Sequence, residues 1–485
     1  MTLRACGLPC ARHLNGGWLA SPQLSLDAIA QQWASGLLQS HLFIIMGLHV
    51  QDIASAIAAA SYWKLAGAVL GLLVIYQALS TTYNVFFHPL RHYPGPFLQG
   101  ASKIPWFLHQ TGGTLAFHTQ GLHEKYGPVV RIAPHHLSFT DPQAFKDIYG
   151  HRIGAASDMP ELPKATMFYH VSRRIPHNII SSTIEDHRGL RRSLAHGFSD
   201  KAMREQEPII GRYVDLLMLR LHGLCGAAAE GTAAVVDLKN YYNWTTFDAI
   251  GDLVFGESFG CLEANKQHPW VDAILSAVHQ GAFLIGLIYL GFGELVELSR
   301  LAAKPGRADL FEGVLRKRDE LGLTFAHLAG NASLLVVAGS ETTATLLSGA
   351  TYLLVSNRHV LDKVTKEVRE TFASAVDINL SSVGGLSYML AVLNESFRCY
   401  PPVTSNLVRR VPLGGQTIAG NYVPVGTLVE VQQWSANHST DNWADPWTFR
   451  PERFLDSEEE AAAKGNKFEA LQPFSVGPRN CIGRK

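Results

Sequence analysis

The chain has 485 residues, 47% hydrophobic and only 17% charged, enough to bury a large core and, by length, two or three domains. Forty-one basic residues face forty-one acidic ones, leaving no net charge; neither a nucleic-acid footprint nor an acidic tail is indicated, and a small-molecule enzyme fits better. The six cysteines (Cys6, Cys10, Cys225, Cys261, Cys399 and Cys481) are too scattered for a disulfide framework or a zinc ribbon, which points to a reducing compartment.

In chain order, residues 1–64 form a leader with little periodicity, luminal or absent from the native protein. Within it, Leu37 to Val50 is apolar but broken by Gln39, Ser40, His41 and His49, which makes it short for a membrane span. Met46 offers an alternative start, and N-terminal sequencing that recovered residues before it would reject that start. Residues 65–87 carry no charge, and at about 1.5 Å per residue they cross a hydrocarbon layer of roughly 30 Å. Tyr62, Trp63, Tyr76 and Tyr83 supply interfacial rings. The alternative is a buried core helix. Next, HPLRHYPGPFLQG sets Pro89, Pro94, Gly95 and Pro96 in a row, expected to forbid helix and form a stiff extended hinge.

The globular body begins at residue 88. Val129 to Ile132 and Leu137 to Thr140 read as a hairpin around Ala133-Pro134. Helical periodicity follows over Arg188 to Met203, Glu207 to Leu224, Asp237 to Phe255 and His268 to Leu290, then over Leu361 to Phe372 and Met389 to Cys399. The apolar helix from Thr324 to Val355 is interrupted by Gly339-Ser340-Glu341-Thr342-Thr343. Serine and threonine there can bond back to the i−4 carbonyl and bend the helix, and Gly339 leaves room for something flat. A structural kink explains the cluster as well as a site does. Asn331-Ala332-Ser333 in the same helix reads as an accidental glycosylation sequence. Strands return at Gln416 to Val431, with turns at Gly420-Asn421 and Pro424 to Gly426.

The sharpest pattern is Phe474-Ser-Val-Gly477-Pro-Arg479-Asn-Cys481-Ile-Gly483. A cysteine that binds iron must be a thiolate on a loop free to approach the metal beneath a flat macrocycle. Gly477 and Gly483 give freedom, Phe474 can shield the sulfur, and Arg479 can pair with a propionate.

This loop resembles the heme-binding loop of the cytochromes P450, and further signatures of that family follow the expected order from about Tyr93 onward. The resemblance implies a mainly α fold with a small β lobe and a single-pass N-terminal anchor, with heme b held by Cys481 as axial ligand. Ala338-Gly339-Ser340-Glu341-Thr342-Thr343 matches the family's distal-helix motif. Thr342 would then hydrogen-bond dioxygen, and Glu341 would help deliver protons. Glu395-Ser-Phe-Arg398 matches its Glu-x-x-Arg motif, with Arg453 as third member; taken singly, such a pair is usually an ordinary surface pair. His187, Arg191 and Arg409 match propionate contacts, although His187 to Arg192 also reads as a solvated basic face that could greet an acidic electron donor.

Implied partners are NADPH-cytochrome P450 reductase, a lipophilic small molecule and the endoplasmic reticulum membrane, with the catalytic body facing the cytosol and no role for nucleic acid. The wording of HRGLRRSLAHGFSDKAMREQEP and QPFSVGPRNCIGRK is similar to fungal family members of secondary metabolism. Substrate would be read by Pro160 to Ile180, His268 to Leu290 and Pro402 to Leu407, mostly apolar segments.

The family's pattern continues beyond Lys485, so its C-terminal elements are expected to be missing here, and Leu290 to Asp309 is short for the family. A chain ending there is expected to hold heme poorly; a heme-to-protein ratio near one would refute this. A non-catalytic truncated fragment and a heme-thiolate isomerase or dehydratase are the alternatives, the latter disfavoured by Glu341 and Thr342.

Overall fold

The computed structural model describes residues 62–152, 161–170, 177–227, 233–302, 325–404 and 407–484. The leader, Met46 and the apolar stretch from Leu37 to Val50 lie outside them. The chain divides into two compact units, Met1–Leu79 and Ser80–Lys485. In the first, α1 (Tyr62–Thr82) carries no charge after Lys64, and its apolar side chains from Val69 to Leu79 are exposed. The stretch Ala66–Phe87 is long and apolar enough to cross a membrane. A second such stretch, Pro269–Glu297, buries Val271 and Tyr289 in the body core.

The body is mostly helical. Its principal helices are α2 (Ile104–Thr111), α3 (Leu115–Tyr126), α4 (Pro142–Tyr149), α5 (Ile184–Ala195), α6 (Asp200–Ala227), α7 (Leu238–Phe255), α8 (Pro269–Leu287), α9 (Phe325–Ser356), α10 (Arg358–Thr371) and α11 (Ser387–Cys399). Strands β1 (Val129–Ala133), β2 (His136–Phe139), β3 (Arg409–Arg410) and β6 (Leu428–Val431) form one sheet in the order β1-β2-β6-β3. β4 (Gln416–Ile418) and β5 (Asn421–Val423) make a separate hairpin. β1 and β2 pair antiparallel, with a register shift between Arg131 and Ala133, while β2 and β6 run parallel. Both faces of β1, β2 and β6 are buried, which is why they read as apolar runs rather than alternating ones.

Three expectations need correction. The prolines do not forbid helix: Pro89–His92 is a 3₁₀ turn with Pro89 at its first position, and Phe97–Ala101 is a short helix started by Pro96. His88, Tyr93 and Pro96 are extended between these pieces, while Pro89 opens a turn because proline's fixed φ suits a helix start, where its missing N–H costs nothing. The break after the HRGLR segment falls earlier than the periodicity suggests. Thr183 caps α5 through the Asp186 N–H, and Ser199 accepts from the Ala202 N–H at 3.2 Å to open α6. Two caps outweigh apolar spacing, and α6 then runs through Pro208. The β4–β5 turn centres on Ala419-Gly420, both at positive φ, one residue before the expected pair.

The last apolar residues before the body are held by side chains. Asn84 Nδ2 donates to Ala101 O at 2.9 Å, and Arg131 Nη2 donates to Asn84 O at 3.0 Å. Asn84 is buried, so this polar residue of the segment serves packing against the body.

Candidate active site

The loop carrying Cys481 is built on turns. Ser475 N–H donates to Gln472 O, Asn480 N–H to Gly477 O, and Cys481 N–H to Phe474 O at 2.9 Å. Gly477 has φ +77°, and a Cβ there would stand 1.9 Å from Tyr149 O at the end of α4. This glycine is therefore required twice, by backbone sign and by close approach. Gly483 is not: its φ is not positive, and a Cβ would meet only Phe198 at 3.6 Å. The Cys481 thiol is exposed and free, available to a ligand. Phe474 stacks edge-on against Phe397 of α11, centroids 5.3 Å apart, which couples the loop to the helix bearing Glu395.

Glu395, Arg398 and Arg453 meet in full burial. Arg398 donates through Nε to Oε2 and through Nη2 to Oε1 of Glu395, both at 2.8 Å, and Arg453 Nε donates to Oε1 at 3.2 Å. Remaining guanidinium protons go to carbonyls of Asn437, Pro446, Ala444 and Thr448 and to Asn466 Oδ1. The network thus clamps residues 437–466, the segment feeding the Cys481 loop. Although burial opposes its charge, the bonds to Glu395 raise the Arg398 pKa; for Arg453 burial prevails and lowers it.

A second cluster is cationic. Arg479 Nε donates to Glu161 Oε1 at 2.7 Å, and its Nη1 donates to Ser182 O. His187 is buried, with its pKa pushed down to about 4 by burial and by Arg479, Lys164, Arg191 and Arg409. Lys164 forms an isolated bridge directly opposite Arg409, an arrangement of like charges that costs stability. Burial, Arg409 and Arg479 pull its pKa down to about 6, with Glu161 opposing. Among the described residues, Glu161 is the one carboxylate acting on Lys164. An excess of partly buried cations over the described acids suits a dianion, and the two propionates of a heme match that charge. Lys164 and Glu161 were not foreseen; the sequence offers no motif around them, and only the pairing of Lys164 with Arg409 reveals them.

Arg191 binds the loop itself. Its Nη1 donates to Asn480 O at 2.6 Å and its Nη2 to Asn480 Oδ1 at 2.5 Å, next to Cys481. Arg409 lies over the Tyr149 ring and within 3.4 Å of Tyr169 Oη.

In α9, Ser340, Thr342 and Ser348 each donate to the i−4 carbonyl, Thr342 to Ala338 O at 2.7 Å, within an unbroken helix. Gly339 makes room for a neighbouring helix: a Cβ would stand 2.9 Å from Ile250 of α7, the helix packed along α9. Glu341 Oε1 is buried with no hydrogen-bond partner, and burial raises its pKa against Lys239. Asn331 is buried and accepts from Ile179 N–H, a packing role. Pro160, residues 171–176 and residues 405–406 of the expected substrate-reading segments, and residues 303–309 of the stretch from Leu290 to Asp309, lie outside the described residues.

The Lys164 environment has a pH signature. The folded pKa lies below the unfolded value, so between about pH 6 and the ordinary lysine range the unfolded chain binds more protons, and stability rises with pH. Below the folded pKa the penalty is complete. An anion beside Lys164 would restore its proton and flatten the slope. Melting curves of heme-free and heme-loaded protein from pH 6 to 9 check this; equal slopes would contradict it.

The residues fit a sulfur-ligated heme: an exposed thiol on a braced loop, an unbalanced cation cluster, and an orphaned carboxyl on α9. The chain matches the family described as Cytochrome P450 over residues 96–289 and 297–485. It is 46% identical to cytochrome P450 monooxygenase tpeC of Talaromyces stipitatus, covering 88% of this chain and 86% of that protein. It is 42% identical to the trichothecene C-15 hydroxylase of Fusarium sporotrichioides (87% and 89% covered) and 40% identical to the averantin hydroxylase of Dothistroma septosporum (86% and 81%). With site chemistry and similarity along most of the chain in agreement, the protein belongs to the cytochrome P450 family.

Proposed function

We propose that the protein is a heme-thiolate monooxygenase of fungal secondary metabolism, anchored in the endoplasmic reticulum membrane with its body in the cytosol, and supplied with electrons from NADPH by the membrane-bound reductase. It inserts one atom of dioxygen into a lipophilic small molecule, the other leaving as water. The observation that carries this is the Cys481 loop, whose thiol is free while its backbone is bonded to Phe474 and Arg191 and packs closely on Tyr149 at Gly477. Relatives named as fungal monooxygenases and hydroxylases support it. Bound there, heme supplies the electron-accepting, oxygen-activating centre.

The chain's own residues do the rest. Cys481 gives the thiolate, and Arg191 holds the adjacent Asn480 so that the sulfur keeps its place. Lys164, His187, Arg409 and Arg479 hold the propionates. Glu341 retains a proton more readily than an exposed carboxyl because burial disfavours its anion. Thr342, one residue on, has an oxygen that accepts while its proton rests on Ala338 O. Together they form a short path for protons.

Turnover with the reductase, NADPH and isotopically heavy dioxygen should place one heavy atom in the product and the other in water. Label from water in the product, or product formed without dioxygen, would instead favour an isomerase or dehydratase. Thr342→Val with Glu341→Gln should lower product formation by roughly 10²-fold while NADPH oxidation continues. A parallel fall in both rates would remove the proton-path role.

A further inference from the structure

We propose that Lys103, His135 and Arg410 form a binding site for the phosphate of an anionic phospholipid headgroup, at the point where the chain leaves its apolar segment; the proposal rests on the membrane reading above. The three side chains line a cavity of about 290 Å³ with Met167, Tyr289 and Leu428. Lys103 is fixed there, donating to Tyr289 O at 2.8 Å and lying 4.9 Å from the Tyr289 ring centre. His135 is held by His88, ring nitrogens 2.6 Å apart, and Arg131 stands behind the wall, bonded to Asn84 O and Pro134 O.

Among the described residues no carboxylate lies within ion-pair distance of Lys103 or Arg410. The acid behind the wall, Glu430, is fully buried, accepts from Gln432 and faces His136 at 3.6 Å. The cations therefore press on one another: burial and Arg410 lower the pKa of Lys103, and burial, Lys103, Arg131 and Arg410 lower that of His135. A phosphate would relieve this repulsion.

Two observations choose a lipid over a free anion. His88, which braces His135, directly follows the apolar stretch ending at Phe87, the level at which headgroups lie if that stretch spans. The brace and three lining residues also lie near exposed apolar side chains in sequence: Phe87 beside His88, Ile104 beside Lys103, Phe292 three residues after Tyr289 and Val425 before Gly426, all about half exposed or more. A cationic pocket whose chain segments carry exposed apolar side chains matches a membrane interface.

The test measures acetylation of the Lys103 amine in the full chain, reconstituted in vesicles of phosphatidylcholine with or without phosphatidic acid. Phosphatidic acid should slow modification about ten-fold, as for a site nearly filled, and Arg410→Ala should abolish that protection while Arg358→Ala, on the exposed face of α10, keeps it. Equal rates in both vesicles, or equal protection by inorganic phosphate at the same concentration, would overturn the proposal. Failure of the membrane reading shows separately, as chain released by carbonate extraction.

Discussion

Glu395→Ala should leave little folded protein at ordinary temperature. The substitution strands two guanidiniums whose side chains are 0% exposed, and it also removes the acceptor of the Arg450 N–H at 2.9 Å. Breaking a buried ion pair by deleting one partner costs about 3–5 kcal/mol, against a total stability of about 5–15 kcal/mol for a typical domain. Here one carboxylate serves two cations, so the loss should lie at or above the top of that range. Glu395→Gln keeps an acceptor oxygen without the charge and should fall between parent and alanine variant. Denaturant unfolding measures both; a loss below about 1 kcal/mol for the alanine variant, the size of an exposed pair, would show that the network does not hold residues 437–466.

Much of this network was legible because its parts are local. Glu395 and Arg398 share a face of one helix, and their spacing alone says so. What spacing cannot show is burial, which separates this triad from an ordinary surface pair. The hairpin at residues 129–139 and the long helix α9 were likewise visible, since continuous apolar runs and 3.6-residue periodicity leave few readings. The misplaced features depend on partners far along the chain. The turn after β4 sits on Ala419 because Asp147 Oδ2 accepts its N–H at 2.8 Å, an acceptor 272 positions away. Gly339 is small because Ile250 is there, and Lys164 joins the cation cluster only because the sheet brings Arg409 opposite it. Loop Cys481 shows both sides: its motif is local, while the need for Gly477 comes from the carbonyl of Tyr149.

Cys481→Ser tests the heme-thiolate assignment at one atom. The backbone of the loop should survive, since Cys481 N–H, Asn480 and Gly477 make their bonds without the sulfur. The heme-free fold should therefore melt as the heme-free parent does, and the change should fall on the metal. A serine hydroxyl stays protonated where a thiol ionises, so the ligand loses its charge and its softness together. Monooxygenase turnover should drop to background.

The most direct measurement is the absorption spectrum of the reduced, carbon-monoxide-bound protein. The parent loaded with heme should give the red-shifted band characteristic of thiolate ligation, and Cys481→Ser should lose it while its heme-free unfolding curve matches that of the heme-free parent. A serine variant that gives the same band and the same turnover as its parent would contradict the assignment.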